Sequence, residues 1–221
     1  VGEEREAWGE LRAAGVLHGL AEAHREATLA VFGALSRSAG FKERSFGVTA
    51  FDVLETQLDR VFRVGEKGAV VSRDDLNGSP GWRYGPFRVL LKRHEFGAVR
   101  EIRWDRDSPT KQFVARQGFA DDPQLSLDLG IDVGDTPGLV TLVLAHSASE
   151  EPLEMELFLG RPRLNADGGS PWHWVRPLND ETLGRDPRRK LVERTLPLWT
   201  DDEADVPMRL RGQRETSIET A

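Results

Sequence analysis

The chain contains no cysteine, which removes disulfide frameworks, Cys-ligated zinc, iron–sulfur clusters and thiol nucleophiles from consideration. Five histidines remain as the only soft ligands among 221 residues. No apolar run approaches the roughly eighteen residues that span a bilayer, and the opening residues, Val1 to Glu6, are charged. The expectation is a cytoplasmic protein with no membrane partner. A surplus of positive charge is also lacking: 30 Lys and Arg stand against 37 Asp and Glu, a formal charge of -7. A surface clothed in cations for non-specific polyanion binding is thereby excluded, and any basic site must be local. Missing too are the phosphate-loop, GxGxxG, HExxH, GxSxG and EF-hand patterns, which weakens nucleotide hydrolysis, dinucleotide redox chemistry, zincin proteolysis and serine esterolysis. No cofactor is expected.

What is present is a globular composition, 38% hydrophobic and 30% charged, sufficient for one folded core. Arg outnumbers Lys 25 to 5, a usage that points to a GC-rich bacterial genome. Leu17, Leu20, Ala21, Ala27, Val31 and Leu35 recur at three- and four-residue steps, predicting helix from Glu3 to Leu35, with Gly15 and Gly19 as weak points. Its Ala and Gly content suits close approach of a second helix, in a hairpin or a homo- or hetero-oligomer. Thr49 is the expected cap of a further helix bearing Val53, Leu54, Leu58, Val61 and Phe62. Lys67 to Val71 reads as a short strand, and a third helix is expected from Pro86 to Gly97.

The second half changes period. Val99 to Trp104 and Gln112 to Arg116 are strand candidates, and Leu139 to His146 suits a central strand. Leu153, Met155, Leu157 and Leu159 alternate with acids and predict its hairpin partner, while Asp167-Gly168-Gly169 precedes a last strand near Trp172 to Val175. The expected fold class is α+β, with N-terminal helices packed on one face of a mainly antiparallel β-sheet formed by the second half. The domain would span residues 1–178, helical over 1–63 and mixed over 64–178, with a polar tail over 179–221.

Chemistry is sought first in acids and histidines. A divalent-metal nuclease or hydrolase needs converging carboxylates. Asp74 with Asp75, Glu154 with Glu156, and the acids from Asp201 to Asp205 are the available groups, with His146 or His173 as bases. Trp172 and Trp174 flank His173, and strand alternation puts both indoles on one face. The strongest long-range pattern is charge segregation. Residues 81–117 hold nine basic and four acidic side chains, whereas 118–160 hold nine acidic and no basic ones. Arg83, Arg88, Lys92, Arg93, Arg100, Arg103, Lys111 and Arg116, interleaved with Trp82 and Trp104, are the candidate nucleic-acid-binding residues. Pairing of the two segments with each other is the alternative.

Within the acidic segment stands Gln124-Leu125-Ser126-Leu127-Asp128-Leu129. It resembles the hexapeptide with which bacterial polymerases and repair proteins bind the sliding clamp. The resemblance implies that Leu127 and Leu129 enter an apolar groove while the Gln124 amide bonds at its rim. Thr195 to Trp199 is similar to a second form of that peptide. The leading expectation is a non-catalytic bacterial adaptor in DNA maintenance or genome defence, with nucleic acid and the clamp as partners. The metal-dependent nuclease and a structural subunit of a larger protein assembly are the other readings.

Overall fold

Gly15 divides the N-terminal helical region. It takes a left-handed φ of 74° between α1 (Gly2–Ala13) and α2 (Val16–Ala34), so the expected long helix is two rods. The apolar stripe of α2 turns inward, burying Leu17, Leu20, Ala23 and Ala27, and its close helical neighbour is α3 (Glu43–Phe62) of the same chain. Helix α3 begins at Glu43, ahead of the expected cap at Thr49, because Phe46 extends the buried stripe of Leu54 and Leu58 upstream. These positions belong to a computed structural model that describes residues 2–116 and 139–187, all within one unit.

The expected third helix is a strand. Gly85, at a φ of 53°, and Pro86 make a two-residue turn that pairs Tyr84 with Phe87, joining β2 (Gly81–Tyr84) to β3 (Phe87–Arg93). Pro86 thus serves a hairpin and not a helix start. The strand expected at Lys67 to Val71 is displaced to β1 (Ser72–Arg73), which pairs with β2. The strand candidates at Val99 to Trp104 and Gln112 to Arg116 are likewise corrected, to two 3₁₀ turns (Val99–Glu101 and Trp104–Arg106) and to helix α4 (Pro109–Ala115). Ser108 caps α4 by accepting the Lys111 N–H, with Pro109 in the first turn.

The central run forms β4 (Val140–Ser149) as expected, and the alternating run forms its antiparallel partner β5 (Glu154–Pro162), followed by β6 (Trp172–Pro177) and the short helix α5 (Asp180–Leu183). The six strands are ordered β1-β2-β3-β4-β5-β6, antiparallel throughout except for the parallel pair β3 and β4. A parallel pair needs a long crossover, which the chain after β3 supplies. The fold is α+β, with N-terminal helices preceding a mainly antiparallel sheet.

The sheet is covered on both faces, not one. Val89, Leu91, Leu142 and Leu144 meet α1, α2 and α3, whereas Leu90, Val143 and Ala145 pack with Trp104, Val114 and Trp172 on the reverse. Burial on both faces explains the unbroken apolar run of β4. Leu178 and Leu183, from the residues after β6, also join the helical core. At Gly81 a Cβ would meet the Asp74 carbonyl oxygen at 2.2 Å, so the tight passage of β2 beside the preceding loop requires glycine.

The two indoles of β6 lie on opposite faces, which corrects the alternation expected for them. The register shifts between Arg161 and Pro162, so that Trp172 pairs with Pro162 and Trp174 with Arg161. His173 is the extra, exposed residue of this bulge. Trp172 therefore enters the reverse core, while Trp174 packs on the helical side and donates its Nε1–H to Glu3 Oε1 at 3.0 Å.

Candidate nucleic-acid interface

The cations singled out between residues 81 and 117 are distributed among three settings. Some are buried in ion pairs: Arg88 is 4% exposed and grips Asp74 through two hydrogen bonds of 3.0 and 3.1 Å. Lys92 pairs with Asp107 on the same side of β3, and Arg93, pointing the other way, pairs with Glu43 of α3. Lys111 is buried and donates from Nζ to the Leu91 carbonyl. Burial, with Lys92 adding to it, pushes its pKa down to about 8 against the opposing pull of Asp107. Arg83 is half-buried, donating to the Gly85 carbonyl at 3.0 Å, and Arg116 is the half-buried cap of α4.

The aromatic part of the expected surface is corrected. Trp82 is 1% and Trp104 0% exposed, so neither ring presents a face to a base. Trp82 donates to Asp59 Oδ1 at 2.8 Å and is covered by the Arg73 guanidinium, and Trp104 donates to the Pro171 carbonyl at 2.7 Å. Large rings satisfy their apolar area in the core when their single donor finds an acceptor there. Among the described residues, the carboxylates that pair with Arg88, Lys92 and Arg93 are Asp74, Asp107 and Glu43.

The third setting is the segment after β3, where Arg100, Arg103 and Arg106 are exposed at every third position while Val99, Ile102 and Trp104 turn inward. Two 3₁₀ turns produce this division, since their side chains recur every three residues. Arg103 shares Asp105 through two hydrogen bonds of 2.9 and 2.8 Å, and Asp107 is occupied by Lys92. The side chains of Arg100 and Arg106 have no hydrogen bond or ion pair with a described residue, and Glu101 is the nearby exposed acid.

This segment is held from below by side chains that the sequence does not mark. Asn165 is 3% exposed; its Oδ1 accepts the Trp104 N–H at 3.0 Å and its Nδ2 donates to the Ile102 carbonyl at 2.9 Å. Trp172 Nε1 donates to the Val99 carbonyl at 2.9 Å and packs edge-on against Trp104 at 5.2 Å. Backbone groups that a strand ladder would have satisfied are thus paired by side chains from the region between β5 and β6. The composition Asn165-Ala166-Asp167-Gly168-Gly169 reads as a loop, and only the tertiary contact reveals the bridge. Asn165→Ala is expected to cost about 2 kcal/mol in urea unfolding, because it strands two buried backbone groups. A cost near zero would show that the segment does not depend on the bridge.

The groups considered for metal chemistry are placed differently. Asp74 and Asp75 face Arg88 and Arg73. Glu154 is exposed, and Glu156 accepts the Gly97 N–H at 2.7 Å. His146 is buried and His173 exposed. Among the described residues no three His, Asp or Glu side chains converge on a common metal position. Gln124, Leu127 and Leu129, the acids from Asp201 onward and the peptide at Thr195 to Trp199 lie outside the described residues. Among the described residues no helix is long and apolar enough to cross a membrane. The fold class is α+β. No protein-family model, curated protein or solved structure matches the chain.

Proposed function

We propose that the protein is a non-catalytic bacterial adaptor in DNA maintenance or genome defence that touches the nucleic-acid backbone through Arg100, Arg103 and Arg106. The observation that supports this reading is the outward presentation of three exposed arginines, Arg100 and Arg106 within the two 3₁₀ turns and Arg103 between them. Guanidinium groups suit phosphate oxygens, and a fixed backbone lowers the ordering cost of binding. The wider basic surface is dropped from the proposal, since Arg88, Lys92, Arg93 and Lys111 are engaged within the fold. Gln124, Leu127 and Leu129 would recruit the sliding clamp, placing the adaptor on DNA already held by that ring.

Three phosphate contacts imply a salt slope of about -2.7, so affinity for labelled duplex is expected to fall roughly 40-fold between 50 and 200 mM salt. Fluorescence anisotropy should show this, with binding lost in the triple charge reversal of Arg100, Arg103 and Arg106 to Glu. Glu101→Gln should tighten binding. Equal affinity of wild type and triple variant would reject the surface. Clamp capture is tested separately by surface plasmon resonance with Gln124→Ala and Leu127→Ala combined; an unchanged response would remove the clamp from the proposal.

A further inference from the structure

A second polar constellation lies on the helical side of the sheet, away from the arginine segment. At the end of β3, Arg93 stands opposite His146 of the parallel strand β4. A cleft of about 40 Å³ opens here between the strand ends and helices α2 and α3. The space accommodates about three water-sized atoms, so a larger ligand fits only if the Glu43 carboxylate is displaced. His146 and Thr28 contribute polar lining, Phe32 and Phe46 apolar walls, and Arg37 and Arg93 line it as well, with side chains 49% and 38% exposed.

Two observations make this cleft more than a packing defect. First, Arg37 and Arg93 share one carboxylate: Arg37 donates to Glu43 Oε2 at 2.9 Å, and Arg93 donates to Glu43 Oε1. Glu43 is the first residue of α3, its side chain is 58% exposed, and the Arg37 guanidinium is further fixed over the Phe46 ring and by Glu150. The two guanidiniums already form a carboxylate clamp, occupied by a side chain free to swing outward. Second, His146 is 3% exposed and its buried Nε2 has no hydrogen-bond partner among the described residues. A buried imidazole nitrogen without a partner is costly and asks for a polar atom.

We propose that this cleft binds a short 2-hydroxycarboxylate, of lactate or glycolate size. Its carboxylate replaces that of Glu43 between Arg37 and Arg93, and its hydroxyl meets His146 Nε2. With Glu43 displaced, Glu150 remains paired with Arg37 among the described residues, a balance that favours a single negative charge. The apolar walls favour a short carbon skeleton over inorganic phosphate. A hydroxyl both donates and accepts, so it satisfies the neutral imidazole in either tautomer. Glu43 then acts as a built-in competitor that sets the threshold concentration for binding.

The test uses the full chain and its Glu43→Gln variant, titrated at constant ionic strength with sodium lactate, propionate, phosphate and chloride. Isothermal titration calorimetry and the ring nitrogen shifts of His146 are the readouts. Lactate should bind the variant at least tenfold more tightly than the wild type, because the competing carboxylate is gone. Propionate, with the same carbon skeleton but no hydroxyl, should bind the variant about tenfold more weakly than lactate and leave the His146 Nε2 shift unmoved. Arg93→Gln should abolish binding of both acids. Lactate binding no better than chloride in Glu43→Gln would overturn the site. Equal affinity for lactate and propionate, or a His146 shift indifferent to lactate, would overturn the hydroxyl contact and with it the proposed ligand class. The His146 shift needs no substitution in the core, so the outcome does not hinge on whether a variant at that position folds.

Discussion

Arg88→Ala is expected to destabilise the fold by about 3–5 kcal/mol, the cost of leaving one member of a buried ion pair behind. Arg88 is the second residue of β3, its side chain 5% exposed, and Asp74 meets it with a side chain 21% exposed. The two hydrogen bonds, Nε to Oδ2 and Nη2 to Oδ1, make a planar fork that no lysine reproduces. Asp74 is itself fixed, since its N–H donates to the Gly81 carbonyl at 2.9 Å. The paired replacement Arg88→Met with Asp74→Leu is expected to recover most of the loss, because exchanging both charges for apolar volume removes the desolvation cost along with the attraction. Arg103→Ala, which breaks an ion pair on an exposed arginine, should leave stability close to that of the wild type. Urea unfolding of the four proteins measures these differences. A loss below about 1 kcal/mol for Arg88→Ala would mean that water reaches Asp74 and that the pair is not a structural anchor.

The same residue shows where sequence reading stops. In β3, Val89 and Leu91 face the helices while Arg88, Leu90 and Lys92 face the reverse core, so apolar groups occur on both faces and the two-residue period is lost. Phe87, Leu90, Leu91 and His94 then imitate helical spacing, and Pro86 reinforces the error. By contrast β4 and β5 were legible, one as an unbroken apolar run and the other as clean alternation, because each pattern has only one strand arrangement that buries it. Counting charge over residues 81–117 detected a real excess but carried no direction. The neutralising acids Asp74, Asp107 and Glu43 precede β2, follow β3 and begin α3, positions no local window connects. Arg100 and Arg103 were legible as candidates. Their separation from the engaged cations depends on 3₁₀ turns held by Asn165 and Trp172, contacts that exist only after β5 and β6 have docked.

Between pH 6.5 and about 4 the protein is expected to lose about 3 kcal/mol of stability. The cause is a group of buried histidines. His24 of α2 meets His146 of β4 edge-on, ring centroids 5.8 Å apart, and both are at most 4% exposed. Burial, with His94 nearby, lowers the pKa of His24 from 6.5 to about 4. Burial holds His146 well below its ordinary value too, with His24, His94, Arg93 and Lys111 all disfavouring a further positive charge. His94 is lowered chiefly by burial, with Arg93 and Lys92 adding to that effect against the Glu95 carbonyl and Glu156. A histidine with a depressed folded pKa contributes its full stability above the unfolded value of 6.5. That contribution drains away as pH falls toward the folded pKa, because the unfolded chain takes up the proton first. For His24 alone the fall from 6.5 to about 4 corresponds to about 3 kcal/mol, and His146 acts in the same direction. Glu43 is protonated only at lower pH, since its hydrogen bonds from Arg93 and Arg37 depress its pKa. Lys111 shifts in the same sense as the histidines but in the alkaline window above about 8, so it adds nothing to the acid limb. Urea unfolding at half-unit intervals from pH 7 to 4.5, paired with imidazole nitrogen shifts, tests the account. Ring shifts of His24 and His146 should stay flat across pH 6.5 while stability declines, and His24→Leu should shallow that decline if the variant folds. Titration of either ring near 6.5, or a stability unchanged down to pH 5, would place water beside these imidazoles and remove the buried neutral pair from the energetics of the fold.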